Sequence, residues 1–283
     1  MDIKYSVSNW IYGEEPIEKH FKRLKEYGYD AIELMVSNPK EFNLKKIQEL
    51  MEQYALPCSS ICTMMNYSEN HAECRNLIHK NSEVRKRTVN YLKGCLDIGA
   101  ELSANLVLVV PSGVGNVKDG WNEENKNLCV KALIELGDHA KSGGTIQLAI
   151  EPINRYENAF LRRCEQAKEL LALSNHEYVK MMLDFFHTNI EEDNNADAIR
   201  LANEDLIHCH IADSNRKSTG RGQTNWFEIF RALRDIDFQG ALACEPLPPS
   251  GANVYVSLKG VRAEADQYAE ECILFLRFIK SVI

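Results

Sequence analysis

No apolar run in the 283 residues approaches the length of a membrane span. The longest, such as Leu106–Val110 and Ile273–Leu276, end far too early, so no membrane partner is expected. MDIKYSVSNW has no apolar core behind a basic start, so a secretory leader is not expected and a cytoplasmic location is. Basic charge is also short. Lys and Arg total 33 against 41 Asp and Glu, a net charge of −8, which argues against non-specific nucleic-acid binding. The nine cysteines include no C-x-x-C pair, and Cys58, Cys62, Cys209 and Cys244 lie inside apolar runs, the pattern of reduced, buried thiols. Asn66-Tyr67-Ser68 has the form of a glycosylation sequon but carries no weight without a secretory route. No Pro/Gly-rich linker or low-complexity segment divides the chain. A Gly-rich phosphate loop is missing after the first strand, where the chain reads SVSNWIYGEE, and Gly113-Val114-Gly115 stands alone as a loop.

What is present is an alternation of short apolar runs with amphipathic stretches. The composition, 45% hydrophobic and 26% charged, is that of an ordinary soluble enzyme. Strands are expected at Ile3–Val7, Ala31–Met35, Ser59–Met64, Leu106–Val110, Ile146–Ile150, Val179–Leu183, Ile207–Ile211 and Leu242–Cys244. Helical spacing runs through 15–28, where Ile17, Phe21, Leu24 and Tyr27 share a face and Gly28 is the stop. It recurs over 83–99, 121–143, from Trp226, and from Ala263 to about Ile279. Eight strands alternating with eight helices, at about 35 residues per unit, predict one (β/α)8 barrel domain over 1–283.

In such a barrel the reactive groups gather at the C-terminal ends of the strands. The fifth strand ends in Glu151, the sixth in Asp184 and the eighth in Glu245, and the seventh carries His208 and His210 on one face. Any one of these acids alone is better read as a helix cap, and His208 as a core group. As a set at one level of neighbouring strands, three carboxylates and a histidine form a hard, oxygen-rich site suited to Mn²⁺, Mg²⁺ or Co²⁺. His187 lies just beyond the sixth strand. Arg216, Lys217 and Arg221 follow the seventh, and Arg155 and Glu157 follow Glu151.

The segments LAIEPINRYE, MLDFFHTNIEED, HCHIADSNRKSTGRGQTNW with EIF, and ACEP resemble the sugar-isomerase-like TIM barrels (xylose isomerase-like). Within them they are closest in kind to the ketose 3-epimerases of the D-tagatose/D-allulose (psicose) type. The resemblance covers roughly 145–246 well and the barrel pattern elsewhere. It implies that Glu151, Asp184, His210 and Glu245 ligate a divalent metal, most readily Mn²⁺, and that Glu151 and Glu245 are the acid/base pair. Glu157, His187 and Arg216 would hold the first three carbons of the sugar. Epimerisation at C3 needs a proton removed beside a carbonyl and returned on the opposite face of an enediolate, which two opposed carboxylates provide. A homo-oligomer, dimer or tetramer, is also implied.

The loops 111–121 and 247–262 read differently from the family and are expected to bear on substrate choice. A phosphorylated sugar, an inosose or a sugar conjugate is the alternative, because the Arg216/Lys217/Arg221 loop sits where these barrels commonly bind phosphate. An apurinic endonuclease of the endonuclease IV type shares the barrel and the D-x-x-H motif. It needs a three-metal cluster, and the second and third strands here end in LMVSN and CTMMN, with no histidine at either end.

Overall fold

The structure is a computed structural model and describes residues 1–64, 75–247 and 263–283. The sequon at Asn66 and most of the loop 247–262 lie outside the described residues. The strands are β1 (Lys4–Val7), β2 (Ile32–Val36), β3 (Cys58–Thr63), β4 (Leu106–Val109), β5 (Gln147–Ile150), β6 (Val179–Asp184), β7 (Leu206–Ile211) and β8 (Ala241–Cys244). All pair in parallel in the order β1-β8-β7-β6-β5-β4-β3-β2. A bridge between Ser8 and Glu33, and donation from the Asp30 and Ala31 N–H groups to the Tyr5 carbonyl, draw β1 against β2. The chain is a (β/α)8 barrel.

The helices are α1 (Ile17–Tyr27), α2 (Leu44–Tyr54), α3 (Ser82–Glu101), α4 (Glu123–Gly143), α5 (Cys164–Ser174), α6 (Phe185–Glu191), α7 (Asn195–Ala202), α8 (Trp226–Asp235) and α9 (Ala263–Ser281). α2, α3, α4, α7 and α8 each begin on an asparagine, Asn43, Asn81, Asn122, Asn194 or Asn225, whose side chain accepts from the first-turn backbone. Each such cap stabilises its helix by about 1 kcal/mol. α1 ends at Gly28, whose φ of 78° is left-handed and favours glycine. Helix α1 buries Phe21 and Leu24 on the expected face. Simple alternation breaks down after β6, where α6 and α7 follow in succession before β7, so the described residues contain one helix more than eight.

The eight described cysteines are free and buried. Among the described residues no helix is long and apolar enough to cross a membrane.

Candidate active site

Glu151 and Glu245 reach the mouth of the barrel by the same backbone arrangement. Glu151 N–H donates to the Val109 carbonyl and Glu245 N–H to the Ile211 carbonyl, each at 2.9 Å, as the last bond of its ladder. Pro152 and Pro246 come next and have no N–H with which to continue it. Asp184 closes β6 in direct register with His210 on β7. One oxygen of Asp184 does cap a helix, accepting from Phe186 N–H at 2.8 Å, so α6 starts without an intervening loop. That tight start places His187 Nε2 3.5 Å from the other Asp184 oxygen. His210 Nδ1 lies 3.3 Å from Glu245 Oε1 and 4.0 Å from Glu151 Oε1. It is a buried nitrogen without a hydrogen-bond partner.

Beneath this group lies Glu33, the second residue of β2 and fully buried. Its Oε1 is 2.9 Å from His210 Nε2 and its Oε2 is 2.8 Å from His208 Nε2. Ser60 Oγ donates to Oε2 at 2.7 Å. Trp10 Nε1 donates to Glu245 Oε1 at 2.7 Å. Neither Glu33 nor Trp10 was expected from sequence. The available signal was the acid itself: AIELMV puts a carboxylate inside an apolar strand, where it must find partners.

Around the mouth the polar groups are cross-linked. Asn154 Oδ1 accepts from Tyr156 N–H at 3.0 Å, which orients the amide so that Nδ2 points inward. That nitrogen donates to Glu157 Oε1 at 3.0 Å and to His187 Nδ1 at 2.7 Å. His187 therefore carries its proton on Nε2. Arg216 spans Glu157 and Glu245, with nitrogens 3.5 Å from each, and its guanidinium lies 4.6 Å from the centre of the Phe186 ring. Asp213 organises the loop that carries Arg216, accepting from Gly220 N–H, Thr224 N–H and the Trp226 indole. By contrast Arg155 pairs with Glu191 at 2.8 Å, and Arg221 pairs with Glu271 at 2.6 Å.

Trp10, Cys62, Met64, Leu108, Val110 and Val114 supply much of the remaining wall of the pocket, together with Arg75. Val110 precedes the loop 111–121 and Val114 lies within it. This loop docks onto the Glu157 segment through Gly115 N–H to the Glu157 carbonyl at 2.7 Å and Asn158 to Ser112 at 2.6 Å.

The charges in the pocket separate the two glutamates. Burial, reinforced by Glu245 and Asp184, pushes the Glu151 carboxyl up to about 8. Burial and Glu245 raise Asp184 to about 6. Burial acts in the same direction on Glu245, but His210 and Arg216 outweigh it and hold that carboxyl down to about 2. His187 is lowered to about 4 by burial and by Arg216, which leaves it a neutral imidazole. His210 is raised well above its ordinary range, because Glu245 and Glu33 outweigh its burial.

Ligand atoms of Asp184, His210 and Glu245 all lie within 4.8 Å of one another, as do those of Glu151, Asp184 and His187. A carboxylate-rich set with one imidazole nitrogen turned toward it fits a hard divalent cation. The seven residues singled out from sequence, Glu151, Glu157, Asp184, His187, His210, Arg216 and Glu245, therefore meet in one place, while Arg155 and Arg221 face elsewhere.

The chain matches the xylose isomerase-like TIM barrel over residues 21–277. It belongs to that family. D-psicose 3-epimerase of Enterocloster bolteae is 30% identical over 267 residues, covering 90% of this chain and 85% of the relative. The 3-dehydro-D-guloside 4-epimerase of Escherichia coli is 26% identical over 257 residues, covering 86% of this chain and 92% of the relative. A solved structure of D-psicose 3-epimerase from Clostridium cellulolyticum H10 with D-tagatose aligns at a TM-score of 0.86 and 25% identity, covering 98% of this chain and 99% of the other. These xylose isomerase-like relatives are epimerases, and the chain is an enzyme of the same isomerase class.

Proposed function

We propose that the chain is a divalent-metal-dependent ketose 3-epimerase acting on free ketoses through a cis-enediolate. The observation that carries this reading is the pair Glu151 and Glu245. They end β5 and β8, each fixed by its own backbone bond, and both approach His210. Glu151, Asp184, His210 and Glu245 would hold the cation, with Mn²⁺ the first expectation and Mg²⁺ or Co²⁺ alternatives. The cation supplies polarisation of the carbonyl beside the carbon that loses its proton.

The chain's own groups carry the proton. The two carboxyls differ in surroundings: His210 and Arg216 hold Glu245 down, and burial raises Glu151. A two-face transfer needs one carboxylate to take the C3 proton and the other to return one from the opposite face: Glu245 is given the first role and Glu151 the second, with the roles exchanged in reverse. His187, with its proton on Nε2, and Arg216 are donors for the oxygen on which charge develops. Glu157, steadied by Asn154, accepts from a sugar hydroxyl.

A free sugar, rather than a phosphorylated one, is favoured by where the basic loop spends its charge. Arg221 pairs with Glu271, and Arg216 turns into the pocket between two carboxylates. The relatives named for psicose act at C3, in line with this assignment. Incubation of the metal-loaded enzyme with D-fructose, D-allulose, D-tagatose and L-ribulose tests the reading. At least one C3 epimer is expected. No new sugar from the whole panel, or conversion of ketose phosphates only, would count against it.

A further inference from the structure

We infer that Glu33 is a positioning residue: it holds the proton of His210 on Nε2, so that Nδ1 faces Glu151 and Glu245 as a bare lone pair ready for the cation. This rests on the metal-dependent reading above and adds a residue that the reading does not use. Glu33 ends no strand and touches no pocket space. It lies fully buried within the barrel, between two imidazoles.

Ionised Glu33 is an acceptor only. His210 Nε2 at 2.9 Å from Oε1 and His208 Nε2 at 2.8 Å from Oε2 must then both be donors. Each imidazole engages its own oxygen, the pattern of two separate hydrogen bonds rather than of three ligands converging on one ion. For neutral His210 the consequence is a single tautomer, with the proton on Nε2 and none on Nδ1. Nδ1 is the buried nitrogen that has no hydrogen-bond partner and lies 3.3 Å from Glu245 Oε1. If the proton moved to Nδ1, His210 would donate to Glu245 and occupy the position a cation needs. A carboxylate behind a ligating histidine generally fixes tautomer and ring orientation in this way, and removing it weakens metal binding about 10- to 100-fold.

The substitution Glu33→Gln has a directional outcome. Oε2 accepts from both His208 and Ser60, whereas Oε1 accepts from His210 alone. A carboxamide has one acceptor oxygen and one donor nitrogen. The oxygen stays where two donors meet it, so the NH2 replaces Oε1 and faces His210 Nε2. His210 must then move its proton to Nδ1.

The test uses the full-length protein and two readouts besides turnover. Mn²⁺ affinity is measured by electron paramagnetic resonance titration in the unaltered protein, in Glu33→Gln and in Glu33→Asp. Histidine protonation is read from ¹⁵N-histidine correlation spectra of the Mg²⁺-loaded proteins. The expected results are a proton on His210 Nε2 in the unaltered protein, an Mn²⁺ affinity about 10- to 100-fold lower in Glu33→Gln with the His210 proton on Nδ1, and partial recovery in Glu33→Asp. A folded Glu33→Gln with unchanged Mn²⁺ affinity overturns the role of Glu33 while leaving the metal reading standing. So does a proton on His210 Nδ1 in the unaltered loaded protein, a measurement that remains decisive if the variants do not fold. An unaltered protein that binds no Mn²⁺ overturns both.

Discussion

Glu151 and Glu245 each make the last ladder bond of a strand, and the proline after each turns the chain away. The side chain at that position is left pointing over the barrel mouth. The two glutamates share a position type and differ in surroundings: His210 and Arg216 sit beside Glu245, while burial dominates at Glu151. Glu151→Gln and Glu245→Gln are each expected to reduce turnover by about 10²- to 10⁴-fold, the usual range for losing a proton-transfer group. Both should also weaken Mn²⁺ binding. Steady-state kinetics on the active ketose, with metal titrations alongside, check this. Arg216→Ala removes donors from the pocket and frees Glu157 and Glu245, and a loss of about 10²- to 10³-fold in kcat is expected. Arg216→Lys should recover little, because a lysine cannot span two carboxylates with a planar fork. The seven residues that meet at the barrel mouth were legible because each sits at a strand end or in the loop that follows one. Glu33 was not, since it lies inside a strand and acts on other side chains; Asn154, though four residues past β5, acts only through Glu157 and His187.

At the scale of elements, the strands were read from apolar runs and observed to within about one residue at their ends. Glu151 and Glu245 fall just outside their strands and Asp184 just inside. No helical stretch was singled out in sequence between β6 and β7, where the structure has two helices, α6 and α7. The break depends on α6 starting on Asp184 and stopping at Glu191, before Asn194 caps the next helix. The start of β8 makes a further element-level prediction. A Cβ on Gly240 would collide with the Ile207 backbone carbonyl and with the Phe238 ring, and the carbonyl cannot retreat without disturbing β7. Gly240→Ala should therefore destabilise the fold by about 1–3 kcal/mol, as read from denaturant unfolding.

Across the whole molecule, the buried carboxylates couple stability to pH and to metal. Glu151 sits at about 8 when folded against an ordinary 4.5, and Asp184 at about 6 against 3.8. Within those windows the unfolded chain has released protons that the folded chain keeps, so stability falls as pH rises. Glu245 acts in the opposite sense below its ordinary 4.5, and His187 and His20, each lowered to about 4, do so below their ordinary 6.5. Chelator-treated protein should thus lose Tm between about pH 6.5 and about pH 8, where Glu151 is the group that titrates. Added Mn²⁺ should raise Tm more at the higher pH, because a carboxyl must shed its proton to become a ligand. Equal stabilisation at both pH values would contradict a site built on these acids.

The central claim is that a proton leaves C3 and another returns on the opposite face. It is tested most directly by running the metal-loaded enzyme on its ketose in D₂O and locating deuterium by NMR. The account predicts a C3 epimer carrying solvent deuterium at C3 and at no other carbon. An epimer without deuterium at C3, or with deuterium at C1 or C4 instead, would contradict it.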